Sequence, residues 1–296
     1  MPPRAKLEWA AVAHGARLSN HLLTHVGEPA PKSNFAKVND LYPFESLAAF
    51  TKGYLDAALE HLLLWADYAA PLKFHPEHQV TFGLRPAYTL ARAAIEAASP
   101  AVWLMNATGP RECLRRYFSL VRWDLQMHAK STPSPERRAD AEKKEMELLD
   151  RIRGEFSPKD VAPPGGYEAT VKLACEEPGV GLDPTETSWI WRAASGSAHG
   201  MPWASKDLQV WVQQDHGLVE GNLIRVPDTD RMAEALRAAS TMTSYGCLRF
   251  ADFSGADLNA LTENARVWLA RVVPFKEDAD LEVISRLRER QDPCGA

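Results

Sequence analysis

The sequence predicts a mainly α protein, a multi-helix bundle with one small β-hairpin inserted at about residues 208–226. Over most of the chain, apolar residues recur at steps of three and four, which is the spacing of a buried helix face. Proline, serine and aspartate precede many of these segments, as they do at helix starts. The spacing changes to two at 208–213, and Asp215-His216-Gly217 then turns the chain back. We therefore expect a single strand pair in a helical chain.

The composition is that of a globular protein and argues against several functional classes. Of the 296 residues, 45% are hydrophobic and 25% are charged, as in ordinary soluble domains. The net charge of −5 argues against a generally basic nucleic-acid binder, although a local basic groove stays open. The four cysteines form no CxxC pair, so we expect neither a zinc ribbon nor a disulfide framework. Because no apolar run reaches the ~20 residues that cross a bilayer, we expect a cytoplasmic protein with no membrane partner.

Prolines and loop-forming residues divide the N-terminal half of the chain. The predicted elements are a helix at 5–26, a loop at 28–43, and a long amphipathic helix from Pro43 to about Ala70. Pro86 opens a further helix that is rich in alanine, and Pro100 should kink or divide it. Small side chains let neighbouring helices approach closely, so we expect this alanine-rich helix to lie at the centre of the bundle.

The C-terminal half changes character after residue 130. The predicted helices lie at 111–130, from Ser134 into a charged stretch, and at Tyr167–Cys175, 229–253, 257–273 and 279–290. Residues 131–182 combine a densely charged segment with a loop rich in proline and glycine. We interpret them as a charged helical excursion from a single helical domain that spans 1–296.

The stretch from Asp183 to Pro202 carries the most chemistry in the chain. Asp183 can cap the start of a helix, Gly200 can end it in a left-handed conformation, and Pro202 should prevent its continuation. Four polar side chains on this helix share one face by their spacing: Ser188, Arg192, Ser195 and His199. An arginine, a hydroxyl and an imidazole on one short helix make it the first candidate site.

Two other helices carry polar groups at helical spacing. Arg92 and Glu96 are four residues apart on the alanine-rich helix and can pair with each other. Asp124 and His128 have the same spacing on the helix at 111–130. If these helices and the Asp183 helix face one another, their polar groups would form a single buried cluster, which can equally be structural.

Four arginines cover the back of the helix at 111–130, namely Arg111, Arg115, Arg116 and Arg122. The simpler interpretation is a solvated face. The alternative is a surface that contacts phosphate groups, with Arg115 and Arg122 as supporting residues.

Histidines raise the possibility of metal binding. His14, His21 and His25 lie on one seam of the first helix, and His75 and His78 form a His-x-x-His pair in a loop. No carboxylate or cysteine stands at ligand spacing beside the seam, and the loop pair lacks a third partner. We therefore expect no metal and no cofactor, and a metal-dependent enzyme remains the third interpretation.

Arg192 and His199, separated by six residues, resemble the Arg-x(4–6)-His motif of the HEPN superfamily of helical proteins. The residue after the motif arginine is often polar in that superfamily and is Ala193 here. The resemblance implies a metal-independent endoribonuclease of a toxin or phage-defence system, with RNA as its substrate and a homodimer whose protomers share the cleft. Residues 80–226 also resemble a group of bacterial helical proteins without a known activity. That resemblance rests on Arg92 and Glu96, and on Ser195, His199 and Gly200 at the end of a helix.

RNA cleavage by the 2′-hydroxyl needs a proton acceptor, a proton donor and a positive group near the phosphate. A histidine can serve as general acid or base, an arginine can hold the phosphate, and Ser195 could orient either. The rival interpretation is a non-enzymatic helical binding or regulatory module. There, Arg192 and His199 would hold their helix to Arg92 and Glu96, and the hairpin and the charged arm would be the interaction surfaces.

Overall fold

Residues 3–73, 83–213 and 223–273 are described by the computed structural model. Within these ranges the chain forms eleven α-helices and one two-stranded antiparallel sheet, which confirms the predicted mainly α fold with a small hairpin. Three predicted features lie outside the described residues: the His75 and His78 pair, the turn at 215–217 and the helix at 279–290. None of the described helices has both the length and the apolar character needed to cross a membrane.

The helices are α1 (Pro3–Thr24), α2 (Asn34–Leu41), α3 (Leu47–Ala69), α4 (Leu84–Met105), α5 (Pro110–Ser131), α6 (Pro135–Ile152), α7 (Tyr167–Cys175), α8 (Pro184–Ala198), α9 (Pro202–Asp207), α10 (Thr229–Phe253) and α11 (Leu258–Val272). The hairpin strands are β1 (Gln209–Gln213) and β2 (Leu223–Pro227). A short 3-10 turn at Pro178–Val180 lies between α7 and α8.

Helix α4 lies at the centre of the bundle, as its alanines predict, and packs against α3, α7, α8 and α10. Its alanines at the contacts are almost fully buried, namely Ala87, Ala91, Ala94 and Ala98. Helix α10 also packs closely on α3, because a Cβ added at Gly246 would lie 2.6 Å from Cδ2 of Leu55. Pro100 does not divide α4, which continues to Met105.

The prediction of a loop at 28–43 is wrong, because part of that stretch forms α2. Ser33 caps the helix by accepting the N–H of Ala36 at 3.2 Å, and Phe35 and Val38 bury one face of it. The surrounding prolines and polar residues masked this pair of apolar residues. The next helix begins at Leu47 and not at Pro43, because Ser46 caps it.

Residues 131–182 pack onto the bundle at several points. Helix α6 packs against α5, and the segment after it buries Phe156 and Val161. Helix α7 packs against both α4 and α8, where Val171 and Ala174 have no exposed surface. Through α7 this segment also supplies a neighbour to the polar face of α8.

Candidate functional site

Helix α8 has marked ends, as the sequence predicts. The Asp183 carboxylate accepts the N–H of Glu186 at 2.8 Å and so caps the start of the helix. At the other end Gly200 has φ 71°, and the N–H of Met201 donates to the Gly196 carbonyl at 2.8 Å, which closes a Schellman turn. Helix α8 does not continue beyond this turn, as predicted, but Pro202 opens a new short helix, α9, which the sequence did not predict.

The carboxylate of Glu168 on α7 collects hydrogen bonds from the polar face of α8. Arg192 donates from Nε to Oε2 at 3.0 Å and from Nη2 to Oε1 at 2.5 Å. Ser188 donates its hydroxyl to the same Oε1 at 2.9 Å, and Lys172 Nζ lies 2.8 Å from it. The hydrogen bond from Arg192, followed by those from Lys172 and Ser188, lowers the pKa of Glu168 to about 2. The glutamate is therefore ionised at neutral pH and holds the arginine in a defined orientation.

Arg192 nevertheless remains accessible, because 58% of its side chain is exposed. A guanidinium has five N–H donors, and Glu168 takes two of them, which leaves three for a ligand. Ser195 is partly exposed and His199 is exposed, and neither side chain forms a hydrogen bond to any described residue. Arg192, Ser195 and His199 thus lie along one accessible face, which we call the α8 face.

A second polar network joins α8 to the central helix α4. Oε1 of Glu96 accepts a hydrogen bond from Arg92 Nε at 2.8 Å and another from Trp191 Nε1 at 2.7 Å. The Arg92 guanidinium also lies 5.6 Å from the centre of the Trp191 ring. Both charged side chains are largely buried, with 24% of Arg92 and 17% of Glu96 exposed. The hydrogen bond between the two helices is therefore made by Trp191, and neither Arg192 nor His199 takes part in this network.

Trp191 is the member of this network that the sequence analysis missed. A tryptophan at a helical apolar position is usually assigned to the core by its ring alone. Its indole N–H needs an acceptor when buried, and that requirement was the available signal.

The structure does not bring all predicted polar residues into one cluster. Asp124 and His128 are exposed on α5. Burial, and next the charge of Asp124, raise the pKa of Tyr54 on α3. The candidate residues therefore fall into two networks on α8 and a separate pair on α5.

The arginines of α5 are directed to protein acceptors. Arg122 donates to Glu145 at 3.0 Å and to the carbonyl oxygens of Pro158 and Val161 at 2.8 and 3.0 Å. Arg115 pairs with Glu112 and reaches the carbonyl of Asp160 at 2.8 Å, and Arg111 reaches that of Glu155 at 2.6 Å. Arg116 pairs with Glu112 and donates to the Trp103 carbonyl at 2.5 Å. Three of these arginines, Arg111, Arg115 and Arg122, fasten residues 155–161 to α5.

The histidine seam of α1 makes local contacts. Burial, and next the charge of Arg17, lower the pKa of His14. His21 stacks between His25 and Trp268, with ring centroids 4.0 and 4.7 Å away. In the parts of the chain that the structure describes, no three His, Cys, Asp or Glu side chains are grouped so that they could hold a metal ion.

Comparisons with protein-family models, curated proteins and solved structures find no match to this chain. The α8 face offers one oriented cation, one hydroxyl and one imidazole to solvent.

Proposed function

We propose that the chain is a metal-independent endoribonuclease whose site is the α8 face. One observation supports this most: Arg192 and His199 are both exposed on the same side of α8, two helical turns apart. The carboxylate of Glu168 orients the arginine and leaves three of its donors directed elsewhere. RNA cleavage requires a phosphate-binding group, a proton acceptor and a proton donor, and Arg192 and His199 supply the first of these and one of the other two.

The exposure of these groups favours a large anionic substrate. Arg192 and Lys172 are 58% and 45% exposed, and with Glu168 they leave one net positive charge at this point. An exposed helix face makes few contacts to a small metabolite, whereas a polynucleotide can lie along it and reach several groups. These exposures favour a polynucleotide as the substrate. That the substrate is RNA, cleaved in the cytoplasm in a toxin or defence role, is what the resemblance to the HEPN superfamily implies.

In the proposed reaction, the 2′-hydroxyl loses its proton to a base and attacks the adjacent phosphorus. The bond to the 5′-oxygen breaks, and that oxygen takes up a proton from an acid. The products are a 2′,3′-cyclic phosphate and a 5′-hydroxyl end. His199 supplies one of the two proton transfers, and Arg192 stabilises the charge that develops on the phosphate. Ser195 orients the side chain of either His199 or Arg192. A single imidazole serves one transfer at a time, so the second copy in a homodimer would supply the other.

A specific observation also supports the non-enzymatic alternative. The guanidinium of Arg192 is already bonded to Glu168, and Arg92, Glu96 and Trp191 satisfy one another between α4 and α8. In that case the polar residues fix the position of α8, and the protein is a binding or regulatory module. The two functions differ in whether the wild-type protein cleaves RNA and whether that cleavage needs His199.

The test is an RNA cleavage assay in EDTA with mixed transfer and messenger RNA as substrate. We expect His199→Ala and Arg192→Ala to lose about 10²- to 10⁴-fold in rate. His61→Ala on α3 and Arg137→Ala on α6 are matched controls that should cleave as the wild type does. Because His199 is exposed, its replacement should change the free energy of unfolding by less than about 0.5 kcal/mol. Wild-type cleavage that yields cyclic phosphate ends would support the proposal. If no folded variant cleaves RNA, the ribonuclease proposal is wrong and the binding module is favoured.

A further inference from the structure

The hairpin exposes apolar side chains on both of its faces. Trp211 and Leu223 are 58% and 60% exposed. Val210, Val212 and Ile224, on the opposite face, are each about 40% exposed. Two-stranded hairpins are only marginally stable in water without further packing. This hairpin therefore presents a surface that another element would stabilise.

The hydrogen-bond pattern shows which backbone groups of β1 are available. The N–H of Asp228 donates to the Leu208 carbonyl at 3.1 Å across the hairpin. Bonded and non-bonded residue pairs alternate in an antiparallel ladder, so the next bonded pairs are Val210 with Val226 and Val212 with Ile224. The position of Pro227 opposite Gln209 agrees with this, because proline has no N–H to donate there.

By the same alternation, the N–H and C=O groups of Gln209, Trp211 and Gln213 point to the outer edge of β1. No strand among the described residues pairs with that edge. Unpaired edges of this kind are templates for strand addition.

The sequence of β1, Gln-Val-Trp-Val-Gln, reads the same in both directions. An antiparallel pair of two β1 strands about a two-fold axis at Trp211 would therefore place like residues opposite one another. Gln209 would lie opposite Gln213 of the partner subunit, and Val210 opposite Val212 of the partner subunit. Trp211, Gln209 and Gln213 would make all the interchain backbone bonds, so every outward-pointing group of β1 is satisfied.

We propose that β1 is a homodimer interface, at which the outer edges of two β1 strands pair to form a four-stranded antiparallel sheet. Charge supports this choice of partner and of strand. β1 carries no charged residue, so self-pairing opposes no like charges. Self-pairing of β2 would place Arg225 opposite Arg225 of the partner subunit, and Pro227 would remove a donor.

Arg225 instead supports the interface from within its own hairpin. Its guanidinium lies 4.5 Å from the centre of the Trp211 ring and so fixes that ring on its cross-strand neighbour. A five-residue strand pair alone buries less than the ~1,200 Å² of a standard interface. Met201 and Trp203, which are 49% and 42% exposed just before β1, can add apolar area. The proposal does not depend on ribonuclease activity, because it rests on the strand edge alone.

The first test is sedimentation equilibrium of the full chain from roughly 1 µM to 1 mM, which covers dimers down to millimolar affinity. We expect a monomer–dimer equilibrium for the wild type. Trp211→Glu should weaken the dimer by about tenfold or more, because two carboxylates would meet at the two-fold axis. Within each protomer the new glutamate still faces Arg225, so the hairpin is preserved. Leu223→Glu, equally exposed but on β2, is the matched control and should dimerise as the wild type does.

The second test fixes the register. In a Cys294→Ser background, a mixture of Val210→Cys and Val212→Cys proteins should form a disulfide-linked dimer on mild oxidation. A mixture of Val210→Cys and Ile224→Cys should not. A wild type that stays monomeric at ~1 mM would overturn the proposal. Equal loss of the dimer in Leu223→Glu, or cross-linking in the second mixture, would also overturn it, since the contact would then not be β1 with β1.

Discussion

Replacing Glu96 by alanine tests whether the Arg92–Glu96–Trp191 network holds α8 on α4. Glu96 accepts the Arg92 and Trp191 hydrogen bonds on a single oxygen, so the substitution removes both at once. Neither donor has another hydrogen-bond acceptor among the described residues. The consequence should be a loss of stability, because the two donors cannot both reach water.

The size of the loss follows from the exposure of each donor. The indole N–H of Trp191 loses a bond to a charged acceptor and stays largely buried, which costs ~1–3 kcal/mol. The Arg92 side chain is 24% exposed and can turn toward solvent, so its share is smaller, about 0.5–1 kcal/mol. We therefore expect Glu96→Ala to lower the free energy of unfolding by about 2–3 kcal/mol. Trp191→Phe keeps the ring beneath Arg92 and removes the donor, so it should cost only about 1 kcal/mol.

Urea denaturation followed by circular dichroism measures these free energies for both single variants and for the double variant. In the double variant no indole N–H is left without an acceptor. Its loss should therefore be about 1 kcal/mol less than the sum of the single losses. A loss below about 0.5 kcal/mol for Glu96→Ala, or strict additivity, would refute the claim that this network is buried and shared.

Two further substitutions test the other polar contacts. Because the pKa of Glu168 is lowered from 4.5 to about 2 in the folded state, its ion pairs stabilise the fold above pH 4.5. That stabilisation should be lost as the pH falls from 4.5 to about 2. Glu168→Gln should therefore remove this part of the pH dependence of the melting temperature. If the melting temperature of the variant depended on pH as that of the wild type does, the assigned ion pairs would be contradicted. Arg122→Ala should speed hydrogen exchange at the amides of Phe156 and Asp160, because the arginine fastens their segment to α5. Arg137→Ala, an exposed arginine of α6, should leave exchange at these amides unchanged, and equal exchange in both variants would count against the assigned role.

Local signals predicted most of the helices correctly. The bounds of α7 and α10 agree with the prediction to the residue, and α8 ends where Gly200 predicts. Capping residues and apolar periodicity are short-range properties, so the sequence displays them directly. Helix α2 was not predicted, because its apolar face has only two buried residues, Phe35 and Val38.

Partners of the polar residues could not be predicted in the same way. Periodicity indicates which side chains share a face, but it does not indicate which helix that face will meet. Trp191 and Arg192 are adjacent in sequence and point about 100° apart on a helix, so one contacts α4 and the other α7. Glu168, the acceptor for Arg192, lies in a segment that appeared from its composition to be an excursion. Arg122 looked like a solvated arginine because its acceptors lie 23 to 39 residues further along the chain.

The two networks together fix the position of the helix that carries the proposed site. The Glu96 network fixes one side of α8 to the central helix, and the Glu168 network fixes the next side to α7. At the end of the helix, a Cβ added at Gly196 would come within 2.8 Å of the Trp203 ring, so α9 is packed closely against it. Helix α8 is thus held against α4, α7 and α9, while Ser195, His199 and the unbonded part of the Arg192 guanidinium remain accessible. Functional side chains need such rigid support to keep their geometry, and here Glu96, Trp191 and Glu168 supply it from outside the proposed site.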